Sequence, residues 1–268
     1  MKNKNFRAFL LSAFFAIFLT GASAQTDNIK PYNLGETLTY EAKFSKIIKG
    51  VAVADLNFTV GSAANGKDYL IKSQAKSKGT LAKLFRFSFL QEMESTVDAQ
   101  RLHVLKSTRH DVQRERIRDS EALFDYINKK VTFTETNPND PMRAPRIVAT
   151  QIESGTQDLI TGLYMLRSLP LAVGKTFELL VSDSGAFYKV PVRVTAREKQ
   201  KSMLGTQWCF RLEPEIFGAN RLIDQEEKGS MIIWITDDAR RMPVRAQINA
   251  SLGRVEVKLK SIAYKPKQ

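Results

Sequence analysis

The stretch MPVRAQINASLGRVEVKLK, residues 242–260, decides the fold class of this chain. Every second residue from Met242 to Leu252 is apolar, and the same alternation resumes after Gly253 and continues to Leu259. A period of two is typical of a β-strand with one buried face, because successive side chains point to opposite sides. The intervening residues are polar and face water, which favours an antiparallel sheet. The stretch therefore predicts two antiparallel strands joined by a tight turn.

The same pattern recurs upstream, where turn signals separate short runs of alternating residues. These signals are Asn65-Gly66, Asn128-Lys129, Asp183-Ser184-Gly185 and Leu204-Gly205. Asn-Gly is a strong hairpin signal, since both turn positions favour a positive φ. Regularly spaced hairpins predict a mainly β protein built on a curved antiparallel sheet, either a half-barrel or barrel-like.

One segment, ESGTQDLITGLYMLRSLPL, departs from this alternation and predicts a helix from about Thr156 to Leu169. Ser154 and Gln157 have the spacing of a capping box, and Asp158 is favoured in the first turn by the helix dipole. Pro170 marks the end of the helix. Because apolar residues cover nearly its whole circumference, we expect the helix to be buried, with the sheet curled around it or capped by it.

The N-terminus has the pattern of a secretory signal. Positive residues precede the apolar run Ala8–Leu19, and Ala22-Ser23-Ala24 fits a cleavage site. We therefore expect a cleaved signal over residues 1–24 and a single exported β-rich domain over residues 25–268. The proline-rich stretch Thr136–Arg146 is interpreted as a long loop before the helix or a linker between two halves of the sheet.

The composition constrains the partners. The chain has 41 Lys+Arg against 28 Asp+Glu, and its single cysteine excludes an internal disulfide. In a periplasmic location, which the signal favours, the available polyanions are lipids, lipopolysaccharide and cell-wall polymers rather than nucleic acid. A lysine-rich surface without any such partner is an equally good interpretation. No later segment is apolar enough to span a membrane, so we do not expect a membrane-spanning mature protein.

Candidate catalytic residues are few. Asp237 and Asp238 lie between two predicted strands, where a solvated loop is the favoured interpretation. His103 and His110 are seven residues apart, so on one strand they would face opposite sides and could not share a metal. Cys209 has no neighbouring histidine and is interpreted as a structural or surface thiol. We therefore expect a protein that is not an enzyme and has no metal or cofactor.

Arg114, Arg116 and Arg118 are candidate ligand-binding residues. In an extended VQRERIR segment they would form a row on one strand face. Arginine recognises phosphate and carboxylate groups with two hydrogen bonds, so the row could bind an anionic head group. A solvated sheet face is the alternative.

Three phenylalanines form the second candidate binding feature. Phe85, Phe87 and Phe89 would share one face of a strand in LFRFSFL. They are either ordinary core residues or the wall of an apolar cavity for an acyl chain or a hydrophobic peptide.

Three segments together carry a family resemblance: LGETLTYEAKFSKIIKGVAVADL, TQDLITGLYMLRSLPLAVGKTFEL and IIWITDDARRMPVRAQI. In this order they resemble the exported bacterial proteins grouped as domain of unknown function 3108, over about residues 34–262. The resemblance implies an exported β-rich domain with no established activity, and it transfers no catalytic residues. A looser likeness, of architecture alone, is to the periplasmic lipoprotein carriers, whose half-barrel encloses helices and an apolar pocket.

These observations lead to three functional hypotheses. The first is an exported, non-enzymatic binding protein for an amphipathic or anionic, lipid-like ligand of the cell envelope. The second is an envelope protein that binds another protein at a sheet edge. The third is a hydrolase of cell-wall sugar or lipid that uses dispersed carboxylates such as Asp158, Asp183 or Asp224.

Overall fold

The architecture is a curved, open antiparallel sheet around a short helix. The computed structural model describes residues 30–46, 50–80, 83, 86–223, 229–251 and 253–264. Within these ranges, fourteen strands form one continuous sheet. The predicted signal over residues 1–24 lies outside the described residues.

The first eight strands precede the helix in the chain. They are β1 (Glu36–Ser45), β2 (Val51–Ser62), β3 (Tyr69–Ser77), β4 (Phe89–Val97), β5 (Val104–Gln113), β6 (Arg116–Asp125), β7 (Lys130–Thr136) and β8 (Arg146–Gln151). The other six follow the helix. They are β9 (Thr176–Asp183), β10 (Ala186–Ser202), β11 (Gly205–Pro214), β12 (Ser230–Thr236), β13 (Pro243–Ala250) and β14 (Gly253–Tyr264).

Two consecutive meanders make up the sheet. Its spatial order is β8-β7-β6-β5-β4-β3-β2-β1-β14-β13-β12-β11-β10-β9, so the first and last strands pair at its centre. Ser45 of β1 lies opposite Arg254 of β14, and Glu36 lies opposite Tyr264. Each predicted hairpin signal falls in a turn between sequential strands, as expected from local turn chemistry.

The proline-rich segment has a different position from the one expected. It connects β7 to β8, which pair as a hairpin with Lys130 opposite Gln151. The segment therefore lies within the first meander, and β8 separates it from the helix. It is neither the loop that leads into the helix nor a linker between the two halves of the sheet.

The helix α1 (Leu159–Met165) continues as a 3₁₀ turn over Leu166–Ser168. Its N-cap is Asp158, and not Ser154 as the sequence suggested. Oδ1 of Asp158 accepts hydrogen bonds from the backbone N–H groups of Ile160 (2.9 Å) and Thr161 (2.8 Å). The Thr161 hydroxyl accepts from the Asp158 backbone N–H at 3.0 Å, so an Asp-Thr pair forms the capping box.

The helix packs between the two meanders. Ile160 and Tyr164 contact a cluster of buried residues contributed mainly by β2 to β7, including Ile71. Leu159 and Leu166 contact a second cluster contributed mainly by β9 to β12. The prediction of a sheet curled around one buried helix is therefore confirmed.

The two edges of the sheet approach each other without pairing. Gly185, in the turn between β9 and β10, has φ of 85°, and a Cβ added there would lie 2.9 Å from Cβ of Val148 in β8. The Thr150 hydroxyl of β8 donates to the Gly185 carbonyl at 2.5 Å. On the other side, Gln157 forms a single bridge with Val181 of β9. These contacts hold the curl together although β8 and β9 form no ladder.

Candidate functional site

An apolar cavity of about 200 Å³ lies between the end of the helix and the centre of the sheet. Its walls come from strands β1, β2, β12, β13 and β14 and from the helix and its 3₁₀ turn. The apolar residues that line it include Leu38, Tyr40, Leu56, Phe58, Leu163, Leu166, Met231, Ile233, Ala246, Ile248 and Val257. A dry, apolar cavity next to half-buried aliphatic side chains is the kind of site that takes a hydrophobic group.

The helix presents one face to this cavity. Leu163, Leu166 and Arg167 are separated by three and four residues, so they lie on the same side of the helical turn. Leu163 remains 37% exposed although the sheet curls around its helix. Leu163 is the exposed position of a helix that is otherwise largely buried, because this side chain lines the cavity.

A buried ion pair lies beside the cavity, where Arg167 is one of the lining residues. Nη1 of Arg167 lies 2.6 Å from Oε1 of Glu36, and Nη2 lies 3.1 Å from Oε2. Nη2 also donates to the Arg240 carbonyl at 3.1 Å. The side chains of Arg167 and Glu36 are 1% and 0% exposed. Two hydrogen bonds and a matched opposite charge offset the cost of removing both groups from water.

Three buried polar atoms of residues that line the cavity have no hydrogen-bond partner among the described residues. They are Nε of Arg167, Nε of Arg245 and the hydroxyl of Tyr164. Burial raises the pKa of Tyr164 well above its usual range, with a smaller contribution from Glu36, so the hydroxyl stays protonated and is a donor at neutral pH. An unpaired buried donor is costly, and each of these atoms is shielded from the accessible space of the cavity.

A second, polar cavity of about 20 Å³ lies on the other side of the helix N-terminus. Asp158 and Asp183, two of the carboxylates of the hydrolase hypothesis, both line it. Oδ2 of Asp158 accepts from the Ser95 hydroxyl at 2.5 Å, and Asp183 is ion-paired with Arg109. The space is sufficient for about one water molecule and too small for a sugar. Asp224 lies outside the described residues.

Phe87 and Phe89, the described members of the predicted phenylalanine wall, do not line the apolar cavity. Phe85 lies outside the described residues, and β4 begins at Phe89, so Phe87 precedes the strand. The Phe87 and Phe89 ring centroids are 6.1 Å apart, and neither ring lines the cavity. Phe89 packs in a cluster that includes Leu56 and Val257, which do line it. The binding role of the phenylalanines stays a prediction.

The three arginines do not form one row on a strand. Arg114 lies in the turn between β5 and β6, with φ of 55°, and its guanidinium is 5.7 Å from the Phe87 ring centroid. Arg116 and Arg118 are in β6 and share a face with Phe124, which packs in the core. The expected row is wrong because the chain reverses at Arg114. Their ligand-binding role stays a prediction.

The Asp237-Asp238 pair is in the loop between β12 and β13, as the sequence predicted. Asp237 is ion-paired with Arg197 at 2.6 Å. Oδ1 of Asp238 accepts from the Thr236 hydroxyl at 2.7 Å, and its Oδ2 accepts from Arg240. These contacts give both carboxylates a structural role in the loop.

The remaining candidates occupy separate environments. His103 stacks on Tyr126, with 4.3 Å between ring centroids, and Nδ1 of His110 lies 2.6 Å from Asp119. Cys209 is fully buried, and burial together with nearby carboxylates raises its pKa to about 11. In the part of the chain that the structure describes, no three His, Cys, Asp or Glu side chains are grouped as metal ligands.

The sequence analysis missed Glu36, Arg167 and Tyr164. Glu36 and Arg167 are 131 residues apart, so no local spacing indicates that they meet. A weak signal was present, because Arg167 is a charged residue within the apolar run LYMLRSL. A charge in such a run indicates a buried partner.

The fold and cavity define a class of β-rich domain in which a curved sheet encloses a helix and an apolar space. The sequence matches the family described as protein of unknown function (DUF3108) over residues 39–260. The chain belongs to this family, as the sequence resemblance predicted. No curated protein matches the chain.

Solved structures that match the chain come from several bacteria. A beta-barrel-like protein of domain of unknown function DUF1849 from Brucella abortus is 9% identical, with a TM-score of 0.61, and the match covers 87% of this chain and 98% of that one. The hypothetical protein CT021 from Chlamydia trachomatis is 8% identical, with a TM-score of 0.35 and coverages of 88% and 90%. A Bacteroides fragilis protein with a YmcC-like fold is 9% identical, with a TM-score of 0.31 and coverages of 88% and 98%.

The Brucella abortus structure shares the curved, mainly β architecture. At 9% identity this likeness concerns the fold alone. In the described parts of the chain, none of the helices has both the length and the apolar character needed to cross a bilayer.

Proposed function

We propose that this protein is an exported, non-catalytic binding protein for an amphipathic, lipid-like ligand of the bacterial cell envelope. The observation that carries the proposal is the apolar cavity of about 200 Å³ at the end of the helix, with Leu163 exposed to it. An exposed leucine inside a curled sheet loses the free energy of burial unless another apolar group covers it. A ligand supplies that cover.

The size of the cavity limits which part of the ligand enters. An engineered dry cavity of about 150 Å³ takes a benzene molecule, and pockets for whole drug-sized ligands are usually about 300 Å³ or larger. The cavity found here is therefore suited to a ring or a short acyl segment. The rest of an amphipathic ligand remains outside.

The buried ion pair of Arg167 and Glu36 favours an uncharged ligand group next to the apolar segment. The charge of Arg167 is already balanced by Glu36, so a second carboxylate would be an uncompensated buried charge. A neutral carbonyl or ester oxygen adds no charge beside this pair. Acyl esters have this combination of an apolar chain and a neutral acceptor.

In this proposal the anionic end of the ligand contacts the arginines, which do not line the apolar cavity. Arg116 and Arg118 follow the inward face of β6, and Arg114 lies in the adjacent turn. Arginine binds phosphate and carboxylate strongly through charge-assisted hydrogen bonds. Export to the periplasm belongs to the same proposal, and the apolar Ala8–Leu19 run with its positive flank supports it.

A titration with defined single-chain amphiphiles tests this function. Delipidated protein is titrated calorimetrically with lysophosphatidylglycerol of increasing chain length, at low and at physiological salt. We expect saturable binding, a plateau in affinity once the acyl chain fills the cavity, and weaker binding in Arg114→Glu/Arg116→Glu. An absence of saturable binding at both salt concentrations overturns the proposal.

A matched pair of variants locates the site. Leu163→Phe adds volume inside the cavity, whereas Leu105→Phe makes the same change on β5, away from the cavity. The two leucines are 37% and 38% exposed. We expect Leu163→Phe to lower the affinity about tenfold or more, which corresponds to one poorly accommodated group, and Leu105→Phe to leave it unchanged. Equal effects of the two variants contradict binding in this cavity.

A protein-binding role at the sheet edge is the second candidate. The edge strand β8 pairs on one side with β7, and Ile147 on this strand is 65% exposed. An unpaired edge with an exposed aliphatic residue is a site where another chain can add a strand. Cross-linking in cells would recover a stoichiometric protein partner from wild type and lose it in Ile147→Lys if this candidate is correct.

A further inference from the structure

The hairpin of β10 and β11 has two faces with different environments. In this hairpin Lys199 lies opposite Trp208 and Lys201 lies opposite Thr206. The alternate residues Glu198 and Gln200 therefore point to the other face. That face is seated on the sheet, because Glu198 accepts from Trp234 Nε1 at 2.5 Å and Gln200 accepts from Arg245 at 3.0 Å.

The opposite face of the hairpin end points to solvent, and we name it the tip face. It consists of Arg197, Lys199, Lys201, Met203 and Trp208. Met203 is 49% exposed and Trp208 is 44% exposed. The tip face thus combines a large apolar side chain and a flexible thioether with three cationic side chains.

The positive charge of the tip face is poorly compensated. The Arg197 guanidinium and the Lys199 ammonium lie 4.5 Å and 5.3 Å from the Trp208 ring centroid. Arg197 also pairs with Asp237. Lys201 has no ion-pair partner among the residues that the structure describes, and Lys199 contacts the Trp208 ring instead of a carboxylate.

An adjoining groove extends this positive surface. Lys201 and Met203 border the groove together with strands β1 and β14. Its lysines are Lys43, Lys201, Lys258 and Lys260. Lys43 and Lys260 pair with Glu41, and Lys258 pairs with Glu256. The tip face and the groove together form a continuous area with more cations than anions.

We propose that the tip face docks the protein on the surface of an anionic lipid bilayer. Lysine and arginine side chains near such a surface attract it, by about fivefold in partitioning for each cation. Tryptophan has an apolar body and a polar N–H, a combination that suits the boundary between head groups and acyl chains. A soluble polyanion would be held by the cations alone and would leave Trp208 and Met203 without a function.

Docking at this surface is separate from ligand binding in the cavity. The tip face is built from the hairpin end, and the cavity is built from the helix and strands β1, β2, β12, β13 and β14. Either proposal can therefore fail without the other. Vesicle binding tests the tip face, and the amphiphile titration tests the cavity.

Sedimentation with vesicles tests the docking proposal. The protein, in the form that an exporting cell produces, is mixed with vesicles of phosphatidylcholine alone or of phosphatidylcholine with phosphatidylglycerol. We expect binding to the anionic vesicles that weakens as salt rises. Lys199→Glu/Lys201→Glu should lower the partition coefficient by about 25-fold or more.

A charge-matched control separates a local surface from net charge. Lys76→Glu/Arg143→Glu makes the same change in charge at exposed positions away from the tip face. The control and the tip-face variant have the same N-terminus, so any contribution of residues 8–19 to vesicle binding cancels in the comparison. This control should lower binding far less than the tip-face variant. Equal loss in both double variants, or equal binding to neutral and anionic vesicles, overturns the proposal.

Tryptophan fluorescence gives an independent readout. The chain has two tryptophans, and Trp234 is 5% exposed and already buried. A blue shift on adding anionic vesicles should therefore come from Trp208 and disappear in Trp208→Ser. Vesicle binding with no blue shift contradicts insertion of Trp208 at the bilayer surface.

Discussion

Arg167 and Glu36 form a two-hydrogen-bond ion pair in a part of the fold where neither side chain reaches solvent. The pair joins the 3₁₀ turn after the helix to the first residue of β1. Because β1 lies at the centre of the sheet, the ion pair fixes the helix end against the strands that form the cavity wall.

Breaking this pair from one side should be costly. Arg167→Met leaves Glu36 buried without its counter-charge, and we expect a loss of about 3–5 kcal/mol in the free energy of unfolding. The double variant Arg167→Met/Glu36→Leu removes both charges and should recover most of that loss. Urea unfolding of wild type, the two single variants and the double variant measures the coupling free energy between the two residues. Additive losses in the double variant would contradict a coupled pair.

The helix cap provides a second prediction. Asp158→Ala removes the cap and leaves the buried Ser95 hydroxyl without its acceptor, so we expect a loss of about 2–4 kcal/mol in the free energy of unfolding. Ser154 is exposed, and Ser154→Ala should change stability by less than about 0.5 kcal/mol. Chemical denaturation of both variants distinguishes the cap in the structure from the one that the sequence suggested.

Most of the fold could be predicted because its information is local. The hairpin at Asn65-Gly66 and the alternation on both sides of Gly253 depend on neighbouring residues, and turn chemistry with period-two patterning specifies them. The sequence analysis placed the cap at the wrong residue because Ser154 and Asp158 both precede the apolar run. Each of them is followed three positions later by a polar residue. Asp158 differs from Ser154 in that its carboxylate also accepts from the buried Ser95 hydroxyl. Ser95 is distant in the sequence, so a local pattern does not reveal this contact.

The cavity could not be predicted in the same way. Leu163 and Ile160 are both apolar helix residues, yet Leu163 lines the cavity and Ile160 packs against the core. An apolar side chain has the same sequence signature whether it lines a void or fills one. The Arg114 row was misjudged for a related reason, because VQRERIR alternates like a strand even though the chain reverses inside it.

Acid should remove the stability that Asp238 contributes. Burial acts to raise the pKa of Asp238, but hydrogen bonds from Arg240 and Thr236 and the Arg240 charge outweigh it and lower the pKa below the usual value. A lowered folded-state pKa means that the contribution is fully present above the unfolded value of about 3.9 and is lost as the pH falls towards the folded value.

Comparison with Asp238→Asn measures this contribution. The difference in the free energy of unfolding between wild type and variant should be largest near about pH 6 and should shrink below about pH 4. Denaturant unfolding at a series of pH values provides both curves, and the effects of the other acidic groups cancel in the difference. A difference that stays constant across the series would show that the carboxylate charge contributes nothing.

The last prediction uses Cys209 to report how the β10–β11 hairpin is seated. Its raised pKa, about 11, keeps the thiol protonated at about pH 8, and its burial blocks reagents, so labelling requires local opening.

Leu204, at the hairpin turn, packs in the cluster that contains Cys209 and Trp234, whereas its neighbour Met203 is exposed. Leu204→Ala should lose about 1–2 kcal/mol of packing and speed native-state labelling about 5- to 30-fold. Met203→Ala should leave the rate unchanged, since its side chain makes little contribution to this packing. Labelling of both variants with a thiol reagent under native conditions measures the two rates, and equal rates would mean that Cys209 becomes accessible by a route other than release of the hairpin from the sheet.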